Sequence, residues 1–155
     1  MPGVWHDSRM SKAARAIIIE DGNMLVMHRN KQGSQYFTLV GGRVDDSETI
    51  EQAVVREVRE ETGLEVVSAQ LVFYEPHPMP YNEQYIFVCQ VAPHDTIGIQ
   101  TTSEEAMLNK LGFDTHTPYW IPLKAFAQLA FRTPQLQQAI LNGIAKGFPR
   151  QPVQL

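Results

Sequence analysis

The chain has 155 residues, 43% of them hydrophobic and 19% charged, with a formal net charge of −4. This size suits a single hydrophobic core, and the apolar share is enough to fill it, so global disorder is not expected. The acidic balance argues against broad nucleic-acid binding, and no run approaches the eighteen apolar residues of a membrane span.

The opening residues MPGVWHDSRMSKAARA carry no apolar block of the signal-peptide kind, so a cytoplasmic location without membrane attachment is expected. The lone cysteine, Cys89, excludes an internal disulfide and a cysteine-based zinc site. Residues 1–12 read as a flexible leader, 13–146 as one domain and 147–155 as a C-terminal tail. A first hairpin is predicted from Ala13–Glu20, a turn at Asp21-Gly22-Asn23, and Met24–Arg29. NKQGSQ (30–35) reads as a polar loop, followed by a strand over Tyr36–Val40 that Gly41-Gly42 breaks.

The clearest helix is predicted over Ile50–Thr62. Thr49 with Gln52 forms a capping-box pattern before it, and Gly63 supplies the stop. Leu64–Tyr74 and Gln84–Val91 read as strands around the proline-rich EPHPMPYNE. A short helix is expected near Glu104–Leu111, a short strand at Tyr119–Ile121, and closing helices over Leu123–Ala130 and Pro134–Lys146. Strands mixed with helices at both ends predict a sheet covered on two faces.

Charge is unevenly distributed. Residues 42–65 hold eight acids (Asp45, Asp46, Glu48, Glu51, Glu57, Glu60, Glu61, Glu65) against three arginines (Arg43, Arg56, Arg59). On the predicted helix, Glu60 lies about 60° to one side of Glu57 and Glu61 about 40° to the other, so the three share a face. Val54, Val58 and Val55 form an adjoining apolar stripe that can anchor the helix to a sheet. Like charges at these spacings repel by a few tenths of a kcal/mol per pair. Either divalent cations relieve them, magnesium or manganese suiting an all-oxygen site, or Arg56 and Arg59 neutralise a solvated face. Spacing alone leaves both open. The glycines on either side of the helix favour the first, because Gly41-Gly42 between strand and helix lets backbone approach a ligand closely.

The stretch GRVDDSETIEQAVVREVREETGL, Gly42 to Leu64, resembles the Nudix box. Gly42, Glu48, Arg56, Glu57, Val58, Glu60, Glu61, Gly63 and Leu64 fill every defined position. The resemblance implies an α/β fold, the Nudix α/β/α sandwich with a mixed sheet. It implies Mg²⁺-dependent cleavage (Mn²⁺ as a substitute) of the pyrophosphate bond in a nucleoside diphosphate linked to another group. Glu57, Glu60 and Glu61, with the Gly42 carbonyl, would bind metal, Arg56 would orient the glutamates, and Glu48 would hold Arg56 or assist the metal shell. The general base would come from the helix or from a downstream loop, where Glu104 and Glu105 stand; as first-turn acids of a helix these two also have an ordinary explanation. Val40 and Ser47 depart from the proline and glycine many members carry there, which bears on loop geometry and not on any metal ligand.

Substrate choice is less legible. Pro80 fits a position found in ADP-ribose pyrophosphatases and Tyr81 nearly fits one of dinucleoside polyphosphate hydrolases, while the compact chain is similar to nucleoside triphosphate pyrophosphohydrolases. Arg29 could pair with a substrate phosphate. The expected partner is a small nucleotide, with a homodimer as a family habit. The contrasting class, a Nudix-like domain that senses nucleotides without hydrolysis, is disfavoured by the full set of box glutamates.

Overall fold

The computed structural model describes residues 11–76, 83–97, 112 and 114–155. Its elements are β1 (Lys12–Ile17), β2 (Ile19–Glu20), β3 (Asn23–Lys31), β4 (Ser34–Thr38), β5 (Val40–Arg43), α1 (Ile50–Thr62), β6 (Val66–Pro76), β7 (Glu83–Val91), β8 (Asp114–Pro122), α2 (Leu123–Phe126), α3 (Pro134–Lys146) and β9 (Val153–Gln154).

Two sheets are formed. The first runs β5-β1-β7-β6-β9 and is mixed: β1 is antiparallel to β5 and parallel to β7, and β9 is parallel to β6. In the second, β8 covers one edge of β3 from Asn23 to Lys31, while β2 and β4 pair with β3 at its start and its end. The chain passes between sheets at Ile18 and Leu39, both essentially inaccessible, so the crossings are anchored in the core.

Period-two alternation divides the core. Ala14, Ala16, Phe87 and Cys89 pack with Val54 and Val58 of α1, whereas Ile17, Val72 and Ile86 pack with Leu136 and Ile140 of α3. Helices therefore cover two sides of the strands, and the α/β/α expectation stands.

Helix α1 has the predicted bounds for the predicted reasons. Thr49 accepts from the Gln52 N–H while Gln52 accepts from the Thr49 N–H, and Gly63 closes the helix at φ 79°, donating to the Arg59 carbonyl.

Other boundaries differ. The polar stretch 30–35 is mostly strand: β3 continues through Lys31 and turns at Gln32 (φ 53°) and Gly33 (φ 87°), a two-residue turn of the kind favoured between twisted strands. Strand β8 is nine residues long where only Tyr119–Ile121 was predicted, because pairing with β3 overrides weak local propensity. The predicted helix 123–130 keeps regular form only to Phe126 and then tightens into turns, with Leu129 N–H donating to the Phe126 carbonyl. Lys12, counted with the leader, is the first residue of β1. Residues 147–155, read from the sequence as a C-terminal tail, pack against the domain. Gly143 leaves a slot where a Cβ would lie 2.3 Å from a ring carbon of Phe148, Phe148 meets Phe73 at 6.3 Å, and Val153–Gln154 pair with β6. The predicted helix at 104–111 lies outside the described residues.

Candidate active site

Strand β5 and helix α1 meet at a pair of glycines. A Cβ on Gly41 (φ 144°) would lie 2.1 Å from the Ala14 carbonyl oxygen of the neighbouring strand, so only glycine fits. At Gly42 the obstacle is a side chain: a Cβ there would lie 2.8 Å from the carboxylate carbon of Glu57. The missing side chain is what lets Glu57 rest against β5. From the next position on the same face, Glu61 reaches back, and its Oε1 accepts the Gly41 N–H at 2.9 Å. Both Glu57 and Glu61 are buried, at 6% and 2% exposure. Acids so buried need compensation from charge or hydrogen bonds.

For Glu57, Arg56 supplies part of it. Its Nε and Nη2 donate to the two carboxylate oxygens of Glu48 at 3.0 and 2.6 Å, in a two-pronged clasp. Nη1 donates to Glu57 at 3.0 Å and Glu60 at 3.2 Å, and Nη2 also reaches the Arg43 carbonyl at 2.9 Å. The Arg56 hydrogen bonds hold the Glu48 carboxyl below its usual range, against the opposing effect of burial. Glu48 in turn raises the guanidinium further above its already high value. The Asp45 N–H donates to Glu48 at 2.9 Å, tying the loop before α1 to the same clasp.

Arg59, offered by the sequence as a second neutralising cation, turns away and pairs with exposed Glu65 at 2.7 Å. One guanidinium thus faces Glu48, Glu57 and Glu60, with Asp45 at 3.7 Å, and the local charge stays negative. An open cleft of about 320 Å³ lies over this array, lined by Arg43, Val44, Asp45, Asp46, Arg56, Glu57 and Glu60.

The donors are all oxygen and the Gly42 gap brings one of them against the strand, so the residues fit a hard divalent cation such as Mg²⁺ or Mn²⁺. Among the described residues no three acidic, histidine or cysteine side chains are gathered at metal-binding positions. The hydrogen bonds account for this. Arg56 Nη1 draws Glu57 and Glu60 to itself, while Glu61 is engaged by the Gly41 N–H.

Of the residues singled out from sequence, Gly42, Glu48, Arg56, Glu57, Glu60 and Glu61 are brought together. Arg29 is not among the residues lining the acidic cleft; its Nη2 donates to both carboxylate oxygens of Asp114 at 3.1 and 3.3 Å. Glu104, Glu105, Pro80 and Tyr81 lie outside the described residues. Arg15 escaped the sequence reading: its Nη1 donates to the carbonyls of Gly41 at 3.0 Å and Leu39 at 3.4 Å, bracing the glycine pair from the opposite face. An arginine inside an otherwise apolar strand (Ala13-Ala14-Arg15-Ala16-Ile17) was the available signal, since a charge half-buried in such a strand needs polar partners.

Comparison with known proteins agrees with this architecture. The NUDIX domain family model matches residues 10–140, and the chain belongs to that family. A NAD-capped RNA hydrolase NudC of Deinococcus radiodurans is 36% identical over 86 residues, covering 56% of this chain and 31% of that protein. Its counterpart in Photorhabdus laumondii is 32% identical over 87 residues, covering 54% and 34%. The matched stretch thus spans about a third of the length of these relatives. A NUDIX hydrolase from Nitrosomonas europaea superimposes with a TM-score of 0.66 at 20% identity, covering 89% of this chain and 90% of that one. The Escherichia coli ORF135 protein does so with a TM-score of 0.63 at 22% identity, covering 87% and 91%. These likenesses show the fold. Among the described residues no helix is long and apolar enough to cross a membrane.

Proposed function

We propose that this chain hydrolyses the pyrophosphate bond of a nucleoside diphosphate linked to another group, a nucleoside triphosphate or an ADP-ribose-like nucleotide, with Mg²⁺ as cofactor. The observation that carries this reading is the carboxylate array of α1 packed on a side-chain-free strand segment, with Glu57 over Gly42 and a single arginine clasping Glu48, Glu57 and Glu60. The NudC relatives, named as hydrolases of NAD-capped RNA, support attack on a nucleotide substrate.

Glu57, Glu60, Glu61 and the Gly42 carbonyl would hold the cation. When bound, magnesium supplies neutralisation of the diphosphate oxygens and acidifies the attacking water. The protein's own groups do the rest. Arg56 keeps Glu57 and Glu60 in position, Glu48 fixes the plane of Arg56, and the Gly41 N–H fixes Glu61. A carboxylate accepts the proton of the water as its oxygen bonds to phosphorus, and the anhydride P–O bond breaks to leave two phosphate monoesters, or a monoester and pyrophosphate. Glu57 or Glu60 on the helix, or Glu105 downstream, is the base. Arg29 serves a substrate phosphate only if Asp114 releases or shares it.

The test is product formation across nucleoside triphosphates, oxidised triphosphates, ADP-ribose, NAD, sugar nucleotides and dinucleoside polyphosphates, each with Mg²⁺ or EDTA. Magnesium-dependent release of a nucleoside monophosphate, lost in Glu60→Gln, is the expected result. Folded protein that turns over nothing in the panel overturns the reading and leaves nucleotide sensing without hydrolysis.

A further inference from the structure

A second cleft of about 550 Å³ lies on the first sheet, lined by Leu71, Tyr74, Glu75, Pro76, Glu83, Tyr85, Pro152 and Gln154. That volume falls in the range of small-molecule sites. Its place relative to the carboxylates follows from strand register. Gly42 pairs with Ala14, Ala14 with Tyr85, Tyr85 with Tyr74, and Tyr74 with Gln154. Directly paired residues present their side chains on the same face of a sheet. Glu57 rests over Gly42, so Tyr85 and Tyr74 stand on the same face as the catalytic helix, in the same row. At about 4.8 Å per strand, Tyr85 lies about 10 Å and Tyr74 about 14 Å from Gly42.

We infer that this cleft takes an aromatic base of the nucleotide whose diphosphate lies at the carboxylates, a base carrying amino-group donors. The inference rests on the function proposed above. Three observations carry it. The two tyrosine rings are near-parallel, with centroids 6.4 Å apart and planes 21° apart, and offer faces on which a flat ring can stack. The line over Ala14 is closed by α1, since Ala14 is fully buried against Val54 and Val58, so the two clefts connect past exposed Lys12, whose carbonyl accepts from the N–H of Val44 in the lining of the acidic cleft. The charges are graded: the Lys12 ammonium lies 5.9 Å from the Tyr85 ring, on the strand between the two clefts, where a phosphate would pass. Glu83 lies beyond it, accepting the Tyr85 hydroxyl, and its other oxygen can accept from an exocyclic amino group.

The experiment measures binding of α,β-methylene-ADP, and of methylenediphosphonate (which has no ring), to the full chain with Mg²⁺. Proteins are the wild type, Tyr85→Leu, Tyr74→Leu and Tyr85→Phe, each shown by thermal unfolding to be folded. The leucine variants should bind α,β-methylene-ADP about tenfold more weakly, the expected loss for one stacking platform. Methylenediphosphonate should bind all four alike, and Tyr85→Phe should recover most of the nucleotide affinity. Leucine variants that hold α,β-methylene-ADP as tightly as the wild type overturn the inference. So does a wild type that binds methylenediphosphonate but gains nothing from the adenosine, an outcome that leaves the diphosphate site standing. If the wild type binds neither probe, the proposed function falls and the ring site falls with it. Should both tyrosine-to-leucine proteins fail to fold, competition by adenosine against methylene-ADP on the wild type decides: no competition overturns the inference.

Discussion

Gly42→Ala is the sharpest perturbation of the carboxylate site. The new methyl carbon would start 2.8 Å from the Glu57 carboxylate carbon, and ordinary contact begins at 3.4 Å, so the carboxylate must retreat by about 0.6 Å. The backbone at Gly42 does not require a positive φ, and the group in the way is the far end of a side chain. Stability should therefore stay within about 1 kcal/mol of wild type. Function should not. Metal–ligand distances tolerate about 0.2 Å, and a misplacement near 1 Å can cost about 100-fold in rate, so turnover should fall between about 10- and 100-fold. The assay pairs Mn²⁺ titration by calorimetry with turnover at saturating metal and with urea unfolding. Wild-type turnover and metal affinity in a normally folded variant would refute the placement of Glu57 at the reaction centre. A loss of several kcal/mol in stability would refute the claim that Glu57 can yield.

Other predictions follow from the same geometry. Gly41→Ala should destabilise by several kcal/mol, since its Cβ meets the Ala14 carbonyl at 2.1 Å and backbone cannot step aside; urea unfolding or loss of soluble protein checks this. Glu61→Gln keeps an oxygen to accept the Gly41 N–H, so it should fold like the wild type yet lose at least about 100-fold in magnesium-dependent turnover. Burial, with Arg29 close by, pushes His116 down to about 4, below the ~6.5 of an exposed imidazole. Between those values the unfolded chain binds the extra proton, so stability should fall by about 3 kcal/mol as pH drops from ~6.5 to ~4 and level off below. His116→Gln should remove that part of the pH dependence; an unchanged urea-midpoint profile would count against it.

What the sequence revealed was local. Helix α1 was legible to the residue because its ends are set by hydrogen bonds within four residues: Thr49 with Gln52 at one end, Gly63 at the other. The carboxylate face was legible because helical spacing is fixed. The role of Arg59 was not, since Glu48 and Glu65 compete for the arginines through contacts that spacing does not rank. Arg29 meets Asp114 across 85 residues, and β9 meets β6 across about as many, so neither pairing leaves a short-range mark. The turn at Gln32-Gly33 left a glycine as its mark, but the polar residues around it read as loop, although an edge such as β4 tolerates them well.

The docking of β9 bears on how the tyrosine cleft opens. Pro152 and Gln154 form its far wall, and that wall is held by a two-residue strand with the Leu155 N–H on the Tyr74 carbonyl at 2.9 Å. So short a ladder opens locally at a small fraction of the free energy needed to unfold the sheet. The wall can therefore detach while the tyrosines and the carboxylate row stay in place, which on the proposed reading admits a ring from the side without moving the carboxylates. Hydrogen exchange would register this as a fast amide at Leu155 beside slow ones in β7.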